Sequence, residues 1–232
     1  WFSEKLSLSE YHKYETDNIK EVINVLSEKN TMGASVTIPL KTDILPYLDI
    51  ISRYAVQIGA VNTVTKLKNG KLVGENTDWL AMRDLVKMNI GNLDGYSGLV
   101  VGTGGVARAA CHTFDSLSIP YYIWGRNKEM SETLMVKHHA VGTFYTDDNT
   151  ISQIDGYPHV DKIIVIMCVP PQVELDISKL NCEMVLEQGY TSTPKRKYPA
   201  GCIFVSGLDI LVTQAKYQNK IWMENNITGL IK

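Results

Sequence analysis

A glycine-rich turn set between an apolar strand and a helix most narrows what this chain can fold into. Ser97-Gly98-Leu99-Val100-Val101 is a short, β-branched apolar run, the pattern of a parallel strand buried on both faces. Gly102-Thr103-Gly104-Gly105-Val106-Ala107 follows and fits G-x-G-x-x-A, and Val106 to Leu117 has helical composition. Strand, glycine turn and helix in that order are the context a dinucleotide fingerprint requires. A pyrophosphate needs backbone N–H groups at close range, and a Cβ at the second glycine would block its approach. The helix N-terminus adds a favourable dipole for the anion.

The next strand indicates which dinucleotide. Pro120-Tyr121-Tyr122-Ile123-Trp124 is apolar and extended, and it ends in Gly125-Arg126-Asn127-Lys128. In an NAD site an acid about 20 residues past the glycines grips the ribose. Here that place holds Arg126, with Lys128 beside it. A guanidinium bonds a 2′-phosphate bidentately, where an acid would repel it. The sequence therefore points to NADP. Without a ligand, the same two residues read as solvated side chains opening a helix.

From Tyr96 onward strands and helices alternate, with strands near Val100, Tyr122, Phe144, Ile164, Val185 and Phe204. That alternation argues a doubly wound α/β sheet. Before it lies a smaller α/β unit. Trp1 to Leu8 reads as the tail of a helix and His12 to Thr16 as a strand. Asp17 or Asn18 can cap the next helix, whose apolar residues include Val22, Ile23 and Leu26. Gly33 to Pro39 reads as a strand stopped by proline, and a helical stretch with Ile44, Leu45 and Leu48 follows. Lys68-Asn69-Gly70 between extended runs is a strong hairpin signal, and a helix follows from Trp79 to Met88. The expected division is a first domain over 1–84, completed by 208–232, and a Rossmann-like domain over 85–207.

The 232 residues suffice for one large domain or two small ones. A formal net charge of −2 leaves no electrostatic footprint for nucleic acid. No apolar run approaches the length of a membrane helix, and no signal peptide is expected at Trp1. Cys111, Cys168, Cys182 and Cys202 are widely spaced. They read as reduced core thiols of a cytoplasmic protein, not as a disulfide frame or zinc site. His138-His139 ends a helix and reads as surface, because adjacent residues do not face one ligand. No metal site is expected.

Thr37, Lys41, Asn62 and Asp78 each sit where a strand or hairpin gives way to a helix. Open α/β sheets bind ligands at such carboxyl ends. A small polyhydroxy acid would need this mixture of hydroxyl, ammonium, amide and carboxylate groups. Lys41 and Asp78 could form a proton-transfer pair, the carboxylate holding the lysine charged and positioned to donate to a developing alkoxide. Spacing alone also allows one exposed lysine and one helix cap.

Five ordered motifs carry a family resemblance. Gly33 to Lys41 resembles the G-x-N/S-V-T-x-P-x-K motif of shikimate dehydrogenases, and Ile58 to Val64 resembles their I-G-A-V-N-T segment. Gly74 to Asp78 is similar to their G-x-N-T-D, Gly102 to Ala107 to their G-x-G-G-x-A, and Gly207 to Gln214 to their closing G-x-x-x-L-V-x-Q. Trp79 and the stretch Met184 to Thr193 look most like the domain that ends the fungal five-activity shikimate-pathway polypeptide.

The resemblance implies reversible, NADPH-dependent reduction of 3-dehydroshikimate to shikimate, in a chain fused to other shikimate-pathway domains. It assigns Lys41 as catalytic with Asp78 its partner, and Thr37, Asn62 and Gln214 as substrate-binding. Gly102, Gly104, Gly105 and Ala107 would cradle the pyrophosphate, with Arg126 at the 2′-phosphate. C-terminal helices would return to the first unit and bring Gln214 across the cleft mouth, where hinge closure excludes water.

The sequence departs from the family in three ways. The family's opening strand and its S-x-S segment would precede Trp1. Met130 stands where a second basic residue commonly follows the Arg126 position. Asn219 replaces an aromatic residue near Trp222. Two other functions fit the same motifs: a quinate- or shikimate-sensing module like the fungal quinate repressors, and an NAD-dependent quinate dehydrogenase. Lys41 and Asp78 together favour the enzyme, and Arg126 speaks against NAD.

Overall fold

The computed structural model describes residues 10–145, 162–190 and 196–228. Asn18 caps the first helix, α1 (Ile19–Ser27), by accepting the Lys20 N–H. There follow β1 (Gly33–Ser35), a 3-10 turn (Leu45–Tyr47), β2 (Ile50–Ile51) and α2 (Arg53–Ile58). The expected hairpin is β3 (Thr63–Lys66) and β4 (Leu72–Glu75), with the Leu67 N–H bonded to the Lys71 carbonyl at 2.8 Å. These strands form one mixed sheet in the order β1-β3-β4-β2. Leu26, Ile44, Val61 and Val64 close the small core around it.

Three expectations for this region are corrected. His12–Thr16 belongs to neither sheet. Its side chains are mostly exposed, and a charged stretch that buries nothing has no reason to pair. β1 ends at Ser35, with one further ladder bond from the Val36 N–H to the Asn62 carbonyl (2.8 Å). Thr37, Ile38 and Pro39 then turn out into solvent. The stretch around Ile44 is a run of turns ending in the short 3-10 segment, because Pro46 lacks the N–H that a longer α-helix through it would use. The proposed helix tail at Trp1 to Leu8 lies outside the described residues.

Helix α3 (Asp78–Asn89) leads to a second sheet, built from β5 (Tyr96–Val101), β6 (Tyr121–Trp124), β7 (Gly142–Phe144) and β8 (Lys162–Met167). Helices α4 (Gly105–Ser116) and α5 (Lys128–His138) link the first three of these strands. After β8 come β9 (Leu175–Asp176), β10 (Cys182–Glu187), β11 (Arg196–Lys197) and β12 (Ile203–Val205). Six strands run parallel in the order β12-β10-β8-β5-β6-β7, and β9 and β11 pair separately. The chain winds outward from β5 to β7, then crosses back to β8. The switch point therefore lies between the carboxyl ends of β5 and β8, where such sheets bind ligands.

All six residues of β5 are buried, as its unbroken apolar run requires. α4 lies close upon it: a Cβ on Gly98 would stand 2.7 Å from the Phe114 ring. Fully buried Phe114, Ile123 and Ile164 each contribute on the order of 1.5–3 kcal/mol of burial to this packing.

The last helix, α6 (Gly207–Thr228), turns back on the first sheet. The Trp222 indole N–H donates to the Val64 carbonyl at 3.0 Å, and the Tyr217 hydroxyl meets Asp84 in α3. One C-terminal helix makes this return among the described residues. No described helix is long and apolar enough to cross a membrane.

The reading of His138 as a surface residue is also corrected. Ser131, Leu134 and His138 share the buried face of α5. His138 is 4% exposed, its Nε2 has no hydrogen-bond partner among the described residues, and its carbonyl accepts the Tyr121 hydroxyl at 2.5 Å. His139 takes the left-handed cap position that ends the helix.

Candidate active site

Lys41 follows the turn after β1, and its carbonyl accepts the Val61 N–H at 2.8 Å. Its Nζ lies 2.7 Å from Asp78 Oδ2, with side chains 10% and 3% exposed. Asp78 is the first residue of α3, where the helix dipole favours a carboxylate. Its N–H is held by Asn76 Oδ1 (3.1 Å), and Asn76 is anchored on the Ala60 carbonyl (3.0 Å). An ion pair this buried costs desolvation that its own attraction does not clearly recover. Such a pair at a strand–helix junction is a candidate for chemistry that needs a charge.

Asn62 is the hub beside the pair. Its Oδ1 accepts the Thr77 N–H (2.8 Å) and the Thr63 hydroxyl (2.7 Å). Its Nδ2 lies 2.9 Å from both Asp78 Oδ1 and Gln214 Oε1, and 3.0 Å from Thr77 Oγ1. Three acceptors thus compete for two N–H groups, which leaves the Gln214 contact able to yield to a ligand. Lys41, Asp78, Asn62 and Gln214 are brought together. Thr37 is exposed, and among the described residues no side-chain hydrogen bond joins it to this network.

The glycine turn closes the other side. Gly102 takes φ +121°, a region that L side chains rarely adopt, and its N–H bonds the Trp124 carbonyl at 2.8 Å. Gly104 is the N-cap of α4, and a Cβ built on it would meet nothing within 4 Å. That open cradle of backbone at a helix N-terminus fits a pyrophosphate. A Cβ on Gly105 would stand 3.3 Å from Lys41 Cβ, so the turn and the buried lysine are neighbours. Ala107 packs wholly buried behind it.

Arg126 is exposed just past β6, and Asn127 caps α5 through the Met130 N–H at 3.0 Å. Lys128 and Met130 are exposed beside it. Among the described residues no group of His, Cys, Asp or Glu could hold a metal. The four cysteines are free, with Cys111 and Cys182 buried and Cys168 and Cys202 partly so. Burial pushes the Cys182 thiol up to about 12 and Cys111 higher still, so neither is a thiolate at neutral pH.

Sequence reading missed Gln218. It accepts the Ser35 hydroxyl at 2.9 Å and donates to Thr63 Oγ1 (3.1 Å) and the Asn62 carbonyl (3.3 Å). Gln214, Gln218 and Trp222 are spaced four apart, so one helical stripe of α6 binds Asn62, Thr63 and Val64 in turn. That spacing was the available signal.

Residues 1–64 match the family model described as the shikimate dehydrogenase substrate binding domain. The chain is 32% identical over 247 aligned residues to the pentafunctional AROM polypeptide of Pneumocystis carinii, an alignment that takes in 94% of this chain. It spans 15% of that polypeptide's length. A crystal structure of shikimate dehydrogenase from Aquifex aeolicus superposes with a TM-score of 0.74 at 26% identity, covering 90% of this chain and 78% of that one. A further shikimate dehydrogenase structure, in complex with NADP+, gives a TM-score of 0.70 at 27% identity over 94% of this chain and 78% of that one.

Proposed function

We propose that this chain, a member of the shikimate dehydrogenase family, catalyses the reversible, NADP(H)-dependent reduction of 3-dehydroshikimate to shikimate. The observation that carries the proposal is the buried Lys41–Asp78 pair standing beside Gly105 of the dinucleotide turn. A sensing module has no use for a desolvated ammonium–carboxylate pair at that place.

NADPH, when bound, supplies the hydride. The protein supplies orientation and charge. Lys41 Nζ donates a hydrogen bond, then a proton, to the oxygen that gains charge as the carbonyl is reduced, and takes the proton back in the reverse direction. Asp78 keeps that ammonium charged and aimed. Asn62 and Gln214 exchange their mutual hydrogen bond for substrate hydroxyls, and Thr37 reaches the same ligand from the exposed turn. Gly102, Gly104, Gly105 and Ala107 form the pyrophosphate cradle, and Arg126 meets the 2′-phosphate.

This assignment divides the chain into a substrate unit, 1–84 with 208–232, and a dinucleotide unit, 85–207. The short span of the match within the AROM polypeptide supports a place as one domain of a longer shikimate-pathway protein. The four free cysteines support a cytoplasmic site.

The test is NADP reduction by the purified chain with shikimate, run beside quinate and beside NAD. NADP-dependent turnover of shikimate is the expected result. Turnover only of quinate with NAD, or binding of shikimate without turnover, contradicts it.

A further inference from the structure

Glu187, the last residue of β10, is 1% exposed and carries a second buried ion pair. Its carboxylate meets the Arg196 guanidinium, accepts the Tyr198 hydroxyl at 2.7 Å and accepts the Gly189 N–H at 2.9 Å. The Arg196 side chain is 0% exposed. From Nη2 it also donates to the carbonyls of Val169 (2.8 Å) and Pro170 (2.7 Å). Burial, and then Glu187 itself, hold the Tyr198 hydroxyl well above its ordinary pKa, so it stays a donor.

Parallel neighbours are usually joined through a crossover helix. The described part of the link from β10 to β12 contains β11 and no helix. Arg196 stands on β11 and fastens that link to the exit of β8. Apolar residues could fill the space at equal or better stability, so the ion pair asks for a role in position.

What it positions is visible on both sides. Cys168 bonds its N–H to the Val101 carbonyl at 2.8 Å. A Cβ on Gly102 would stand 3.0 Å from the Cys168 carbonyl and 3.1 Å from Val169 Cγ1. Residues 168–170 are therefore the wall at the switch point, directly against the glycine turn. In the other direction, a Cβ on Gly207 would stand 2.5 Å from the Gly189 carbonyl. The exit of β10 thus presses on the root of α6, the helix that carries Gln214 to Asn62.

We propose that Arg196, held by Glu187 and Tyr198, is a positioning residue that fixes the Val169–Pro170 wall against which the nicotinamide half of the dinucleotide packs. The inference rests on the dinucleotide reading above. It commits to one half of the ligand: the adenosine half, which Arg126 and the glycine turn receive, does not depend on Arg196.

The test is fluorescence or calorimetric titration of the full chain with NADPH and with adenosine 2′,5′-bisphosphate, which lacks the nicotinamide half. Wild type is compared with Arg196→Met, Arg196→Lys and Tyr198→Phe. Arg196→Met is expected to weaken NADPH about tenfold, the scale of one lost charge-assisted contact, and to leave the bisphosphate unchanged. Arg196→Lys keeps the charge beside Glu187 without the planar fork and is expected to lie between. Should Arg196→Met fail to fold, Tyr198→Phe and Arg196→Lys carry the same contrast in smaller measure. Equal weakening of both ligands, or no weakening of NADPH in any variant, overturns the inference. A wild-type chain that binds neither ligand overturns the dinucleotide reading and the inference with it.

Discussion

Asn62 and Gln214 stand 152 positions apart in the chain, yet the Asn62 amide nitrogen lies 2.9 Å from Gln214 Oε1, beside the Asp78 carboxylate. The contact closes α6 over the first sheet and sets the C-terminal helix at the mouth of the buried Lys41–Asp78 pair. One turn further along, Gln218 binds the backbone of the same asparagine.

The two glutamines should therefore separate binding from stability. Gln214→Ala is expected to raise the shikimate KM about tenfold or more, the cost of leaving substrate polar groups unpaired, with little change in melting temperature. Gln218→Leu removes the acceptor of the Ser35 hydroxyl and the donor to Thr63 Oγ1 and should cost about 1–3 kcal/mol of stability. Steady-state kinetics and urea denaturation of both variants check this. A destabilised Gln214→Ala with an unchanged KM would contradict it.

Arg126 should read the 2′-phosphate. It is exposed at the end of β6, beside the N-terminus of α5, with Met130 where a second cation would help. Arg126→Ala is expected to raise the KM for NADP by about tenfold or more and leave that for NAD nearly unchanged, because only NADP carries the charge a guanidinium holds bidentately. Equal changes for the two cofactors would remove the clamp from the account.

Much of this architecture was legible in the residues themselves. The apolar runs of β5 and β8, the glycine turn after β5 and the Asn69-Gly70 hairpin are local patterns that admit few alternatives, and each lies where the pattern put it. The region from His12 to Leu48 was read less well. There short strands depend on which partner is available, and Pro39 and Pro46 break the periodic signal. In the site, Lys41, Asp78 and Asn62 were visible because they close recognisable motifs. Gln218 was marked only by its four-residue spacing from Gln214 and Trp222, and Arg196 and Glu187 not at all, since a buried polar residue on a strand has no local signature of the partner it will meet. His138 was misread for the same reason: its burial is set by the α5 face it shares with Leu134.

That histidine gives the protein an acid-side weakness. Burial first, and then Lys137 and Arg108, lower the His138 pKa from 6.5 to about 4. The folded value lies below the unfolded one, so the unfolded chain binds more protons between about pH 4 and 6.5. Stability is complete above that window and falls as pH drops through it. Between about pH 7.5 and pH 5 the loss attributable to this group is on the order of 1–2 kcal/mol. His138→Phe should shrink the pH dependence of the urea midpoint by that amount. An unaltered slope would place the titration elsewhere.

In the proposed reaction the ammonium of Lys41, held by Asp78 at the edge of the glycine turn, carries the proton in hydride transfer. The most direct test of that role is Lys41→Met, which keeps the length of the side chain and removes the donor. The kcat for shikimate oxidation and the affinity for NADPH are measured on the same purified preparation. The kcat is expected to fall by about two to four orders of magnitude while NADPH affinity stays within about twofold of wild type, the turn being intact. A variant that turns over shikimate at the wild-type rate would contradict that role.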